Sequence, residues 1–365
     1  MLLARRNLFH DRPRFLLSVL GVAVSIGLIL LLAGYRSGVY RQSSAYLDNT
    51  PGSVVVAERG IRDFLGTSSV LPANAIEAVE ATPGVARVIP VVSQFVIFER
   101  HARKDGFFLI GYDPAAGGGP WKLVDGREPV ADDELVIDRT TARQHDIDIG
   151  NEVSLLDRDA TVVGLSDETT FWAGSIAFAR ITTLESLARA PGLRSFLLVT
   201  PEAGTSPEAL RDRLAIPGTE VLLKTEIIAN DRQLMARVYD APIGLMVGIA
   251  FFVGVLVVGL VIYTATVERR REYGAVKAIG ARNRTLYRVV TTQALIAAAA
   301  GAVVGVGLAY SGGAALMAWR PQFLVAIEPT AVGVVLASSM LMALLAALIP
   351  ARAMARLEPA EVFRG

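Results

Sequence analysis

The residue types that usually do chemistry are few in this chain and poorly spaced. His10, His101 and His145 lie far apart and in no metal-ligand spacing. The run Gly218-Thr-Glu-Val-Leu-Leu-Lys224-Thr225 approaches the phosphate-cradling pattern Gly-x-x-x-x-Gly-Lys-Ser/Thr. Leu223 stands where the second glycine is needed, and the segment reads as a strand. No Gly-x-Ser-x-Gly elbow occurs, and Asp132-Asp133-Glu134 reads as a solvated acidic turn. These residues supply neither a catalytic centre nor a metal or cofactor site, so the chain is not read as an enzyme.

One string has a different chemistry, that of recognition. It runs Val267-Glu-Arg-Arg-Arg-Glu-Tyr-Gly-Ala-Val-Lys-Ala-Ile-Gly-Ala-Arg-Asn-Arg-Thr-Leu-Tyr287. The spacing predicts a short charged helix over Glu268 to Ile279, with Gly280 suited to the position that closes a helix. Tyr273, Val276 and Lys277 share one face; Glu268, Arg271, Glu272 and Ala275 occupy another. A segment that only held anionic lipid headgroups would account for the arginines. It would leave Glu268, Glu272, the aromatic and the paired glycines Gly274 and Gly280 without a role.

The elements that must position this loop follow from where charges are missing. The 365 residues are 52% hydrophobic and 19% charged, which excludes a disordered chain, and the absence of cysteine excludes a disulfide scaffold. Four stretches contain no Asp, Glu, Lys or Arg: 15–35, 241–267, 289–319 and 329–351, of 21, 27, 31 and 23 residues. About 20 apolar residues cross a bilayer as a helix, so all four are read as transmembrane spans. The first is too long for a secretory signal core, and its weak small-residue exit at Ala33-Gly34 favours a retained anchor.

Charge sets the expected orientation. The N-terminal segment 1–14 carries Arg5, Arg6, Arg12 and Arg14 against Asp11. The loop 268–288 has seven basic residues against two acidic, and the tail 352–365 carries Arg352, Arg356 and Arg364 against Glu358 and Glu361. The positive-inside rule makes these three segments, and both termini, cytoplasmic. Segment 36–240 is then outside, with 21 basic and 29 acidic residues, a net of −8, and a short outer loop covers 320–328. The overall +1 hides this division and offers no reason to expect nucleic acid.

The outer segment is large enough for its own core. It is expected to begin and end with helical stalks at 36–48 and 226–240, the alternative for the latter being an ordinary surface helix. Between them the pattern is mixed α+β. Strands are expected at 53–57, 88–98, 107–111, 135–137, 152–155, 161–164, 196–199 and 220–224, and helices at 72–81, 183–190 and 207–214. Two strand–helix–strand sets flanking a small β insert imply two subdomains, with the Gly111 to Pro120 loop as a boundary.

At this point the loop 268–288 resembles a known pattern, E-R-x-R-E-x-G-x-x-[KR]-A-x-G-A, found after the second span of MacB/FtsX-type ABC transporter permeases. Glu268, Arg269, Arg271, Glu272, Gly274, Lys277, Ala278, Gly280 and Ala281 fall on pattern positions. Tyr273, with Leu286-Tyr287-Arg288, is most similar to the DevC-like branch. The ending Pro350-Ala-Arg-Ala-Met-Ala-Arg356-Leu-Glu-Pro-Ala-Glu361 is similar to the family's P-A-x-x-A-x-x-x-x-P-x-E. The resemblance implies a four-helix membrane protein with a MacB-like α+β extracytoplasmic domain between helices 1 and 2. It also implies a coupling helix that docks into a separate ABC ATPase subunit, which holds the ATP and magnesium. The permease would work as a homodimer, with an extracytoplasmic adaptor or a cell-wall hydrolase as a further partner.

Small residues add a second expectation. Gly244-x-x-x-Gly248 and Gly301-x-x-x-Gly305 permit close helix packing, either between two copies or within one. The four spans contain no ionisable residue of the Asp, Glu, Lys or Arg type, and one amide, Gln293. A polar solute path normally places such groups at membrane depth. The favoured function is therefore ATP-driven export of amphiphilic or lipidic cargo. The alternative is an FtsX-like transmitter that activates an extracytoplasmic partner such as a cell-wall hydrolase.

Overall fold

A computed structural model describes residues 12–355 except Ala102, Asp157, Trp172, Ala173, Arg269 and Gly280. The second half of the C-terminal pattern at 350–361, from Arg356 on, lies outside the described residues. Numbered along the chain, helix α1 (Arg12–Asn49) leads into an α/β segment. Its strands are β1 (Val54–Glu58), β2 (Val85–Arg100), β3 (Arg103–Tyr112), β4 (Leu123–Gly126), β5 (Glu134–Asp138), β6 (Glu152–Leu155), β7 (Arg158–Ser166), β8 (Thr170–Phe171), β9 (Gly174–Arg180), β10 (Phe196–Pro201) and β11 (Thr219–Leu223). Short helices α2 (Ala75–Glu80), α3 (Arg139–Gln144), α4 (Ile181–Leu187) and α5 (Pro207–Arg213) lie between them. The chain continues through α6 (Lys224–Glu268), α7 (Arg270–Ala278), α8 (Asn283–Trp319) and α9 (Pro329–Ala355).

Contacts divide the chain into two units, 1–38 with 239–320 and 324–365, and 39–238 with 321–323. The first is the membrane bundle, formed by α1, α6, α8 and α9, each long and apolar enough to cross a bilayer. Its core joins Val22, Ile26 and Leu30 of α1 to Val258 and Ile262 of α6. Ala294 and Ala298 of α8 and Met342, Ala343 and Ala346 of α9 complete it. Helices pack in lipid through such small residues, because lipid tails are as apolar as leucine and only close contact favours association. Helix α6 is the least covered, with Leu245, Ile249, Phe252, Leu256 and Leu260 all exposed along one side.

The second unit is built on one sheet of eleven strands in the order β11-β1-β10-β2-β3-β9-β5-β7-β4, with β6 on β2 and β7, and β8 on β9. Alternation sorts its side chains cleanly. Val55 and Ala57 of β1, Phe108 and Ile110 of β3 and Ile176 and Phe178 of β9 point to one face. That face receives Tyr46 and Leu47 of α1 and Ile227 and Ile228 of α6. Val54, Val56, Leu197 and Val199 point the other way, under α2 and α5, and Phe107, Leu109, Ala177 and Ala179 under α3 and α4. The expected two-part organisation thus takes the form of two cores on one face of a shared sheet.

Several expectations are refined. Both stalk segments are helical, and each is continuous in the chain with a span: α1 has 38 residues and α6 has 45. The loop 320–328 is divided, because Pro321–Phe323 belong with the extracytoplasmic unit. The Gly111 to Pro120 loop is packed rather than free: Tyr46 Oη donates to Gly118 O at 2.9 Å, and Gly119 lies on the Tyr112 ring. The acidic turn is solvated at Asp132 and Asp133, as expected, but two of its carboxylates are also bound. Arg127 grips Glu134, whose carboxylate also accepts from Val130 and Ala131 N–H, and Thr182 donates to Asp132. The Arg127 hydrogen bond leads these in holding the Glu134 carboxyl at about 2.

Candidate coupling surface and the helices that carry it

The charged loop folds as α7, nine residues over Arg270–Ala278, one turn shorter than the spacing predicts. Glu272 lies in its first turn and Lys277 in its last, the placement that complements a helix dipole. Gly274 is buried, whereas Arg271, Glu272 and Ala278 are exposed and Lys277 and Ala281 are half-buried. Glu268, the last residue of α6, is exposed, and Glu268, Arg271, Glu272 and Lys277 all have polar or electrostatic partners. Tyr273 lies within α7; Arg269 and Gly280 fall outside the described residues.

Ile279 is the residue that sequence reasoning missed here. It is 88% exposed, immediately after α7, and is the most exposed large apolar residue among the described residues. A bare isoleucine beside exposed charge is the composition of a docking spot: an apolar anchor inside a polar rim. The following helix holds the loop from behind, with Leu286 and Val290 of α8 buried in the bundle core.

The helices on either side reach this loop in different ways. α6 runs without interruption from Lys224, next to β11, to Glu268. Pro242 sits inside it, close to the start of the uncharged stretch, and removes one backbone donor there. α1 and α6 run in opposite directions and are cross-linked by side chains. Within the membrane unit, Arg36 Nε and Nη2 donate to Asp240 Oδ1 and Oδ2 at 2.6 and 2.8 Å. Tyr35 and Tyr239 meet edge to face at 6.3 Å. Within the extracytoplasmic unit, Arg232 Nη2 donates to Ser44 Oγ at 3.4 Å. Lys224 Nζ donates to Leu47 O and Thr50 O at 3.0 and 2.8 Å, at the C-terminal end of α1. Burial lowers the Lys224 pKa, with Asp48 opposing the shift.

Asp231 fixes α6 to the domain. It is fully buried, and its Oδ1 accepts from the N–H groups of Phe64 and Leu65 at 3.0 and 3.2 Å. Desolvation raises its pKa to about 7, against the lowering effect of those two amides, and Asp63 adds to the rise.

The glycine pairs separate into two kinds. A Cβ on Gly301 would lie 2.5 Å from Val22, and one on Gly305 2.8 Å from Ala23 O, so this pair lets α8 press against α1 within one chain. Around Gly244 and Gly248 nothing lies within 4 Å of such a Cβ. A third pair, Gly34-x-x-x-Gly38, has the same spacing in the sequence and a stronger role. Ala326 N–H donates to Gly34 O at 2.9 Å, and a Cβ on Gly38 would lie 1.7 Å from Leu324 O. The segment before α9 is strapped across α1 at these two glycines.

Four apolar spans and a large α/β domain between the first and second define a multi-pass membrane protein of permease architecture. The family model described as MacB-like periplasmic core domain matches residues 15–215, and that of the FtsX-like permease C-terminal region matches residues 244–359. The chain belongs to the MacB/FtsX-type family of ABC transporter permeases. It is 25% identical to an uncharacterized ABC transporter permease of Mycobacterium tuberculosis, over 99% of both chains. It is 23% identical to the macrolide export ATP-binding/permease protein MacB of Agrobacterium fabrum, covering 98% of this chain and 59% of that one. Among solved structures, the extracellular domain of the noncanonic ABC-type transporter YknZ is similar at 13% identity and a TM-score of 0.38, over 47% of this chain and all of that one.

Proposed function

We propose that this permease is the membrane subunit of an ATP-driven export complex whose ATPase is a separate chain docking from the cytoplasm on α7. The observation that carries the proposal is the continuity of α6 between β11 and Glu268, two residues before α7 begins. A push on α7 is passed to one rod whose far end is held in the domain by Asp231 and Lys224. ATP and magnesium are bound by the partner. The absence of a phosphate-binding loop in this sequence, and the permease relative that it matches end to end, support that division.

Two copies are required for two ATPases to close on each other. The open side of α6, with Gly244 and Gly248 unoccupied and Leu245, Ile249 and Phe252 exposed, supports its use by a second copy. The cargo class is amphiphilic or lipidic, because the bundle has no charged lining for a polar solute, and the macrolide-export relative fits an export role. The same uncharged bundle also suits pure force transmission to an extracytoplasmic partner such as an adaptor or a cell-wall hydrolase.

The experiment is ATP hydrolysis by the co-purified ATPase in the presence of candidate amphiphiles or a hydrolase. Stimulation by an amphiphile supports export. Stimulation by a hydrolase and by no amphiphile replaces export with signalling.

A further inference from the structure

A cleft of about 540 Å³ opens in the extracytoplasmic unit, between α3 with the loop after it and β4, the last strand in the sheet order. Buried Ala142 and Ile147 and half-buried Leu165 give it an apolar floor. Val124, 44% exposed, adds an apolar lip. A concavity of that size matches a small molecule.

Five charged side chains share the lining, and the fold uses them unequally. Arg139 Nε lies 2.9 Å from Asp167 Oδ1, and Lys122 Nζ lies 2.8 Å from Oδ2 of the same carboxylate, so the Arg139 charge is balanced within the domain. Asp125 Oδ1 accepts from the N–H of Gly126, its neighbour in the chain. Arg143, Asp146 and Asp148 are exposed, and their side chains have no hydrogen-bond or ion-pair partner among the described residues. Three carboxylates thus line the cleft against one uncommitted guanidinium. The segment 36–240 carries a net of −8, so the wider field also favours cations.

The two free carboxylates stand on a loop that is fixed from behind. Ile147 N–H donates to Ala142 O at 2.8 Å. Arg100 Nη2 donates to Asp146 O at 3.2 Å and to Asn151 Oδ1 at 2.6 Å, and that same oxygen accepts from Asp148 N–H at 3.0 Å. Asp146 has a left-handed backbone, φ 51°, which aspartate adopts more readily than most residues. The loop is therefore held by the main chain of Asp146 and Asp148, and their carboxylates are left over.

A bare metal ion is a poor occupant, because no three acidic or histidine side chains among the described residues are grouped to hold one. An acidic rim over an apolar floor suits a cation that carries its own apolar body. We propose that this cleft binds amphiphilic amines. The ammonium lies at Asp146 and Asp148, the apolar body rests on Ile147, Leu165 and Val124, and Arg143 donates to an oxygen of the same molecule. This narrows the amphiphilic cargo of the proposed function to amines; it rests on that reading for transport, whereas binding stands without it.

The test is equilibrium binding to the full chain in phosphatidylcholine nanodiscs without ATPase, with empty nanodiscs as the lipid background. Dansylcadaverine, its N-acetyl derivative and dansylaminohexanoate place cationic, neutral and anionic heads on one fluorescent apolar body. The expected result is saturable, blue-shifted emission with the amine, and binding at least about tenfold weaker with the other two, the scale of one charged hydrogen bond. Asp146→Asn with Asp148→Asn should weaken the amine by at least about tenfold at an unchanged melting temperature, because both side chains are exposed and asparagine also accepts a left-handed backbone. Arg143→Gln should not weaken the head-group preference. Equal affinity for the three heads, or an unchanged Kd in the double variant, overturns the proposal. Preference for the anionic head also overturns it and gives the cleft to Arg143. ATP hydrolysis by the assembled complex with dansylcadaverine separates the two readings: binding without stimulation leaves the site standing and counts against amine export.

Discussion

Arg36 and Asp240, 204 residues apart in sequence, meet as a two-pronged ion pair that joins α1 to α6. Arg232 and Ser44 make a second rung eight residues along both helices. Both partners of the first rung are partly exposed, at 47% and 37%, so the pair contributes about 1 kcal/mol or less to stability. On the proposed function, such a pair serves to keep two rods in register. Arg36→Ala and Asp240→Ala are expected to leave the melting temperature nearly unchanged while reducing ATPase stimulation. The reversed pair Arg36→Asp with Asp240→Arg should recover part of it, which a double-mutant cycle on stimulated hydrolysis will show.

The glycines make a graded prediction. Gly38→Ala drives a methyl group into Leu324 O, and Gly305→Val crowds Ala23 and Ile26, so each should cost roughly 1–3 kcal/mol, more where backbone must move. Gly244→Ala and Gly248→Ala meet nothing in the same chain and should stay within about 1 kcal/mol of the parent, on the favourable side through helix propensity. Leucine at both positions should leave the subunit folded and dissociate the two copies, read by size-exclusion chromatography with light scattering.

Asp231 predicts a pH dependence. Its folded pKa, about 7, stands above that of an ordinary aspartate, so between roughly pH 4 and 7 the folded state binds more protons than the unfolded one. Stability from this group is therefore lost as pH rises through that window and stays low above it. Asp231→Asn keeps an oxygen acceptor for the Phe64 and Leu65 amides and removes the charge. It should raise stability at pH 8 by roughly 2–4 kcal/mol and change little at pH 4.5, measured by thermal unfolding at both values.

Much of this architecture is legible in the sequence because membrane spans announce themselves through missing charge and the second stalk through apolar residues at helical spacing. Arg36 and Asp240 mark the ends of two uncharged stretches, but their pairing is invisible at such separation. Strand β1 stands out through its run of three valines, and β10 through its apolar run Phe196-Leu-Leu-Val199. β9 was not legible, because Gly174-Ser-Ile-Ala-Phe-Ala-Arg180 is buried on both faces and does not alternate in polarity. α3 was hidden by its six-residue length and two threonines; it depends on Asp138, whose side chain accepts from Thr140 N–H at 2.7 Å. The charged loop showed its helix and its charges, but the exposure of Ile279 depends on where the helix stops.

The central claim is that α7 is where an ATPase drives this permease. Its most direct test is permease-stimulated ATP hydrolysis in nanodiscs with Ile279→Asp, Glu272→Lys and Tyr273→Ala. All three variants are expected to insert, fold and melt like the parent, and to lose stimulation together with co-purification of the ATPase. Undiminished stimulation in all three would contradict the account and place the docking surface elsewhere.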